Sequence, residues 1–150
     1  HVDRDRAELS AQAFGAIARM VHDVTQRSAS LLQPHGLTPG QFQVLMVLSR
    51  HPDASQSAIG ASLGVTRANV SMLLTKLEAA GLVDRRAHGA ANRIRLTAEG
   101  RALVDRALPE QLDLLAEVFA PLPPDQLTAL HATMLGLGEP APFDRLPSQQ

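Results

Sequence analysis

The segment from Thr66 to Lys76 carries side chains of the kinds that contact nucleic acid. Arg67 and Asn69 follow Thr66 at the start of a predicted helix, and Arg pairs well with guanine whereas Asn pairs well with adenine. A hydroxyl at the helix N-cap and the free N–H groups of the first turn can also bind phosphate. The polar residues that lie off the apolar face of this helix are Arg67, Asn69, Ser71, Thr75 and Lys76.

A second group of cations follows in two short segments, residues 82–86 and 93–97, which mix apolar and charged residues with partial alternation. With His88 and Gly89 between them, the segments predict a small antiparallel hairpin. Its arginines are placed to contact the DNA backbone or the minor groove. They are Arg85, Arg86, Arg93 and Arg95.

The charge distribution supports a confined phosphate-binding surface. The chain has a net charge of -1, yet residues 64–96 hold six cations and two anions, and residues 97–150 hold three cations and eight anions. A locally basic segment in a nearly neutral protein is expected where one surface meets phosphate.

The predicted elements around these residues form a helix-turn-helix between Ser55 and Gly81. Ser55 caps a short helix and is itself a candidate DNA contact, Gly64 makes the turn, Thr66 caps the second helix, and Gly81 ends it. In such a motif the second helix enters the major groove. A plain helical hairpin is the alternative, but the basic hairpin that follows directly favours DNA binding.

The rest of the chain is predicted to be helical. Apolar residues at three- and four-residue steps predict a long helix over residues 4–33, which Pro34 to Gly36 end. Thr38 and Gln41 form a capping-box pattern before a helix that buries Phe42, Leu45, Met46 and Leu48. A helix from Thr97 to about Phe119 holds Pro109, which should kink or split it, and a last helix carries apolar residues as far as Leu137.

Four stretches, taken in chain order, resemble the MarR family, the regulators of the multiple-antibiotic-resistance type. They are residues 37–45 (LTPGQFQVL), 63–71 (LGVTRANVS), 77–83 (LEAAGLV) and 95–100 (RLTAEG). The resemblance implies a homodimer joined by its terminal helices, two winged helix-turn-helix lobes and palindromic double-stranded DNA sites. It also implies a repressor that releases DNA when a small phenolic or other lipophilic anion binds between the dimer helices and the lobe.

Two features depart from the family's pattern. The family's wing usually carries Asp-x-Arg near the tip of a longer loop, whereas residues 87–92 here are short and lack that Asp, although Arg93 could take the place of the Arg. Met72 stands where the family often has a basic residue.

Other kinds of site find little support. The chain has no cysteine, which excludes disulfides, thiolate metal sites and thiol redox sensing and fits a cytoplasmic protein. We see no signal peptide, membrane segment, catalytic constellation or cofactor motif, and the six histidines form no helical pair that predicts a metal site. Arg19 and His22 are candidate effector contacts, with a solvated or salt-bridged surface role as the alternative for Arg19.

The sequence therefore predicts an all-α fold with a small β-hairpin wing. We expect an N-terminal dimerisation helix (residues 1–36), a winged helix-turn-helix DNA-binding domain (37–97), C-terminal dimerisation helices (98–138) and a flexible tail (139–150). The expected function is regulation of transcription by a DNA-binding dimer. A winged-helix protein-interaction module and a metal-responsive repressor are the alternatives; no enzymatic activity is expected.

Overall fold

The computed structural model describes residues 3–85 and 94–138. In these ranges the chain forms helices α1 (Arg4–Leu32), α2 (Pro39–Arg50), α3 (Gln56–Leu63), α4 (Arg67–Ala79), α5 (Ala98–Phe119) and α6 (Pro124–Leu135), with a 3-10 turn at Gln33–His35 and strands β1 (Val83–Asp84) and β2 (Arg95–Leu96). The helical architecture with one small antiparallel sheet confirms the predicted fold class.

Local capping explains where the central helices begin. Thr38 and Gln41 form both hydrogen bonds of a capping box at the start of α2, with Pro39 in the first turn. The hydroxyls of Ser55, Thr66 and Thr97 accept backbone N–H groups at the starts of α3, α4 and α5.

One hydrophobic core joins the lobe to the two long helices. Val44 and Leu45 of α2, Leu74 of α4 and Val104 of α5 are buried in it together with Leu32 from the end of α1. Because α2 packs against α1, α4 and α5, most of its circumference is covered. The prediction for α2 is corrected in two respects: Val44 is buried, and Met46 is only half-buried.

The C-terminal half also differs from the prediction in detail. Pro109 lies inside α5 without splitting it. The last helix ends at Leu135, so Leu137 lies beyond it and is exposed. The predicted tail, residues 139–150, lies outside the described residues.

The terminal helices leave a large apolar surface uncovered in a single chain. Leu9 and Phe14 on α1 are 66% and 73% exposed, and further exposed apolar side chains follow on the same helix and on α5 and α6. They are Met20, Val21, Leu112, Leu115, Leu127, Leu130, Met134 and Leu135. Contiguous apolar surface of this kind marks a protein–protein contact.

Candidate nucleic-acid interface

Helices α3 and α4 meet through a tight turn, as in a helix-turn-helix. Gly64 ends α3 in the left-handed conformation (φ 67°), and the N–H of Val65 donates to the carbonyl of Gly60. A Cβ on Gly60 would lie 3.1 Å from the carbonyl oxygen of Val65 and 3.3 Å from Val70. The glycine therefore allows the close approach of the two helices.

The N-terminus of α4 is exposed and capped. Thr66 Oγ1 accepts the N–H of Asn69 at 3.2 Å, which leaves the N–H groups of Arg67 and Ala68 without a helical partner. The positive end of the helix dipole therefore coincides with an arginine at an exposed helix start, an arrangement that attracts phosphate.

Most polar residues predicted on α4 are accessible. Arg67, Asn69, Thr75 and Lys76 are exposed, whereas Ser71 is half-buried. They surround two apolar residues, Ala68 and Met72, which are exposed as well.

The end of α4 leads directly into the hairpin. Gly81 adopts a left-handed conformation (φ 76°) and donates to the carbonyl of Glu78, while Leu82 donates to that of Leu77, the two bonds of a Schellman cap. Val83 pairs with Leu96, and Asp84 pairs with Arg95.

Only part of the predicted basic wing falls within the described residues. Arg95 is exposed on β2. Arg86 and Arg93, together with the loop 87–92, lie outside them, and the strands seen are shorter than predicted.

Arg85 differs from the prediction of a DNA-facing side chain. Its Nη1 donates to Thr75 Oγ1 at 3.2 Å and its Nη2 donates to Gln56 Oε1 at 3.4 Å, while its backbone N–H donates to a carboxylate oxygen of Glu78 at 3.2 Å. The guanidinium thus lies against α3 and α4, where it joins the base of the hairpin to both helices.

Gln56 completes this contact and was missed from the sequence. Its Nε2 donates to the carbonyl of Arg67 at 3.1 Å while its Oε1 accepts from Arg85. A glutamine in the first turn of a short helix gives no local signal of this role. Together Gln56, Thr75 and Arg85 form what we call the wing clamp.

The predicted effector residues do not share a pocket in the structure. His22 lines an open cleft of about 670 Å³ between α1 and the start of α2. Arg19 is exposed on α1 and does not line that cleft.

A smaller pocket of about 260 Å³ lies between α1, α2 and α5. Its apolar wall includes Val24, Phe42 and Leu108, and Arg50 is the cation among its lining residues.

Gln111, which the sequence analysis missed, also lines this pocket and is 8% exposed. Its Oε1 accepts the hydroxyl of Ser28 at 2.5 Å, and its buried Nε2 has no hydrogen-bond partner among the described residues. An unpaired buried N–H group costs free energy, so an acceptor that reached it would be stabilised.

Two further features were searched over residues 3–85 and 94–138. No three His, Asp or Glu side chains there come together as a metal site requires. None of the helices in these ranges has the length and apolarity that crossing a bilayer demands.

Comparisons with known proteins agree with this architecture. The model of the MarR family matches residues 35–94. An uncharacterized HTH-type transcriptional regulator of Bacillus cereus is 32% identical over 103 residues, which is 69% of this chain and 70% of the relative.

Two solved structures are similar over most of their length. The Mycobacterium tuberculosis MarR family protein Rv2887, solved in complex with DNA, is 31% identical, with a TM-score of 0.65 over 83% of this chain and 95% of that one. The transcriptional repressor CouR bound to p-coumaroyl-CoA is 31% identical, with a TM-score of 0.72 over 87% and 96% of the two chains. The helix-turn-helix, the attached hairpin and these similarities together show that the chain belongs to the MarR family of transcriptional regulators, which is a family of DNA-binding dimers and not of enzymes.

Proposed function

We propose that this protein is a homodimeric repressor in the cytoplasm that binds palindromic DNA and releases it when a small aromatic or anionic compound binds. The observation that carries the proposal is the exposed, Thr66-capped start of α4, where Arg67 and Asn69 stand beside free N–H groups. A helix end of this kind suits insertion into the major groove.

The division of labour follows from exposure and charge. Residues 37–97 would form the DNA-binding lobe, and residues 1–36 and 98–138 would form the dimer. The exposed apolar residues of α1, α5 and α6 support the second assignment, because a chain of this size gains stability when such surface is covered. A dimer then presents two α4 helices to half-sites about 34–36 Å apart.

Within the lobe, we assign the DNA contacts to Ser55, Thr66, Arg67, Asn69, Ser71, Lys76 and Arg95, and from the sequence alone to Arg86 and Arg93. Thr75 and Arg85 are kept on the list only as residues that hold the lobe together through the wing clamp. The phosphate contacts would supply most of the affinity and the base contacts the discrimination.

We assign the effector to the pocket between α1, α2 and α5 in place of Arg19 and His22. Relatives support an aromatic acid: Rv2887 has been solved with salicylic acid, and CouR with p-coumaroyl-CoA. The volume of about 260 Å³ accommodates a substituted single ring, since a cavity of about 150 Å³ can hold benzene. Arg50 would attract the carboxylate, and the Gln111 amide would donate to it.

DNA binding is tested with the duplex that flanks the protein's own gene, titrated at several salt concentrations. A repressor binds this duplex far more tightly than an unrelated one, and its affinity falls steeply with salt. Equal, weak affinity for both duplexes would favour a winged-helix protein-interaction module instead.

The effector assignment is tested with salicylate as the probe. We expect salicylate to weaken the DNA complex of the unaltered protein, and Arg50→Gln and Gln111→Leu to reduce that response. His22→Gln is the control in the other cleft and should respond like the unaltered protein. Release of DNA by a divalent cation, with no response to salicylate or related acids, would favour the metal-responsive alternative.

A further inference from the structure

The centre of the exposed face of α4 is apolar. Val70, Leu74 and Leu77 are buried on one side of the helix. At 3.6 residues per turn, Ala68 and Met72 lie one turn apart on the opposite side. Both are exposed, and Met72 is 60% exposed.

This exposure is unusual within the lobe. Among the described residues of 37–97, the large hydrophobic side chains that are exposed are Val65, in the turn before α4, and Met72. Those elsewhere in the described chain lie on α1, α5 and α6, the surfaces we assign to the dimer. The dimer contact therefore gives no reason for an apolar side chain at Met72.

Polar side chains border this apolar centre. Arg67 and Asn69 stand on either side of Ala68 at the helix start, and Thr75 and Lys76 follow one turn beyond. A helix that enters the major groove turns the middle of its exposed face toward base edges, with its margins toward the groove walls. The partner of Ala68 and Met72 must then be an apolar group on the floor of the groove.

The 5-methyl group of thymine is the apolar group that bases present in the major groove. Methionine is flexible and polarisable, so it adapts to such a contact, and alanine allows close approach. We propose that Ala68 and Met72 contact thymine methyl groups, and that each half-site of the operator requires thymine at the positions they face. This inference rests on the proposed DNA-binding function.

The experiment begins with duplexes selected by the full-length protein from a randomised DNA library. Each thymine of the selected half-site is then replaced by deoxyuridine, which removes the methyl group and leaves the hydrogen-bonding groups unchanged. Loss of one buried methyl is expected to weaken binding about fourfold at one or two positions, and about sixteenfold when both half-sites are changed.

Protein variants assign the effect to Met72. Met72→Ala and Met72→Gln should bind the thymine and uracil duplexes equally at the affected position, whereas Met72→Leu should still prefer thymine. Arg67→Ala is the matched control on the same helix, because it should lose affinity yet keep the preference for the methyl group.

Three outcomes would overturn the proposal. Selective, tight binding with equal affinity for thymine and uracil at every position would overturn it and leave the DNA-binding function intact. Full methyl sensitivity in Met72→Ala would assign the contact to another residue. Failure to select or bind any duplex would overturn the DNA-binding function together with this inference.

Discussion

Arg85 Nη1 donates to the Thr75 hydroxyl across 3.2 Å, although the two residues lie in different elements, the hairpin and α4. Thr75 in turn donates its hydroxyl proton to the carbonyl of Ser71 at 2.9 Å. The hydroxyl thus acts as acceptor and donor at once, and it holds the guanidinium against the helix that is expected to enter DNA. Gln56 binds the other side of the same guanidinium.

The wing clamp predicts that Arg85 acts by position and not by charge. Arg85→Lys keeps the positive charge but cannot donate to Thr75 and Gln56 together, because an ammonium lacks the guanidinium's planar fork. We expect a loss of about 1 kcal/mol in stability, measured by urea unfolding, and weaker DNA binding with an unchanged salt slope. Arg95→Lys, on the exposed strand, is the control and should change little.

A second variant pair tests the same clamp from the other side. Thr75→Val removes the hydroxyl at constant shape, and Thr75→Ser restores it. If the clamp operates, Thr75→Val should weaken DNA binding, Thr75→Ser should not, and the double variant Thr75→Val/Arg85→Lys should lose little more than either single variant. Additive losses, or a salt slope that falls by about one unit in Arg85→Ala, would instead place these side chains on phosphate.

The difference between Arg67 and Arg95 should appear in specificity. Arg67 stands at the start of α4, where base edges are within reach, so Arg67→Ala should reduce the ratio of specific to non-specific affinity by about 1–3 kcal/mol. Arg95 lies on β2, and Arg95→Ala should weaken both affinities and lower the salt slope by about 0.9 for one phosphate contact. Titrations of operator and unrelated duplexes at four salt concentrations would separate the two effects. A reversed pattern would mean that the hairpin and not α4 contacts the bases.

The sequence was informative wherever structure depends on neighbours in the chain. The capping box of Thr38 and Gln41, the N-cap at Thr66 and the left-handed Gly81 were all predicted from residues at most three positions apart, because caps are local hydrogen-bond geometry. The Arg85 contact escaped prediction, because its partner Gln56 lies 29 positions away. No local pattern distinguishes an arginine that faces solvent from one that packs on a helix.

Burial depends on tertiary packing in the same way. On α2 a simple apolar face predicted Met46 as core and left out Val44, but contacts with α1, α4 and α5 bury a wider arc. Gln111 is similar: a polar residue on a long helix is expected at the surface, and only the opposing Ser28, 83 positions earlier, gives it a buried partner. The pocket that it lines was therefore beyond the reach of the sequence.

The apolar surface of α1 predicts a dimer that a single charge should weaken. Phe14→Asp would place a carboxylate at a site that is 73% exposed in one chain and covered in the proposed dimer. We expect dissociation toward monomers at micromolar concentration, seen by sedimentation, and a parallel loss of operator affinity because one lobe holds one half-site. Gln12→Glu, also exposed on α1, is the control for added charge. A Phe14→Asp protein that stays dimeric would place the interface elsewhere.

The joint between the hairpin and α5 predicts the most damaging small substitution. Gly100 lies in the first turn of α5, and an added Cβ would overlap the carbonyl oxygen of Leu82 and press on Leu96. That carbonyl accepts the N–H of Thr97, whose hydroxyl caps α5 through the N–H of Gly100, so the backbone there has little freedom to move. Gly100→Ala should therefore destabilise the protein by about 1–3 kcal/mol, the usual cost of overpacking, despite the better helix propensity of alanine. Gly136→Ala is the matched control: its Cβ would meet the carbonyl oxygen of Thr133 at an ordinary 3.5 Å, and its φ of -79° suits any residue. Urea unfolding at fixed protein concentration measures both variants, and operator binding at low temperature shows whether the folded fraction of Gly100→Ala retains function. Equal stability of the two variants would show that the hairpin yields at Leu82, and the close packing of hairpin against α5 would then have no part in fixing the orientation of the lobe.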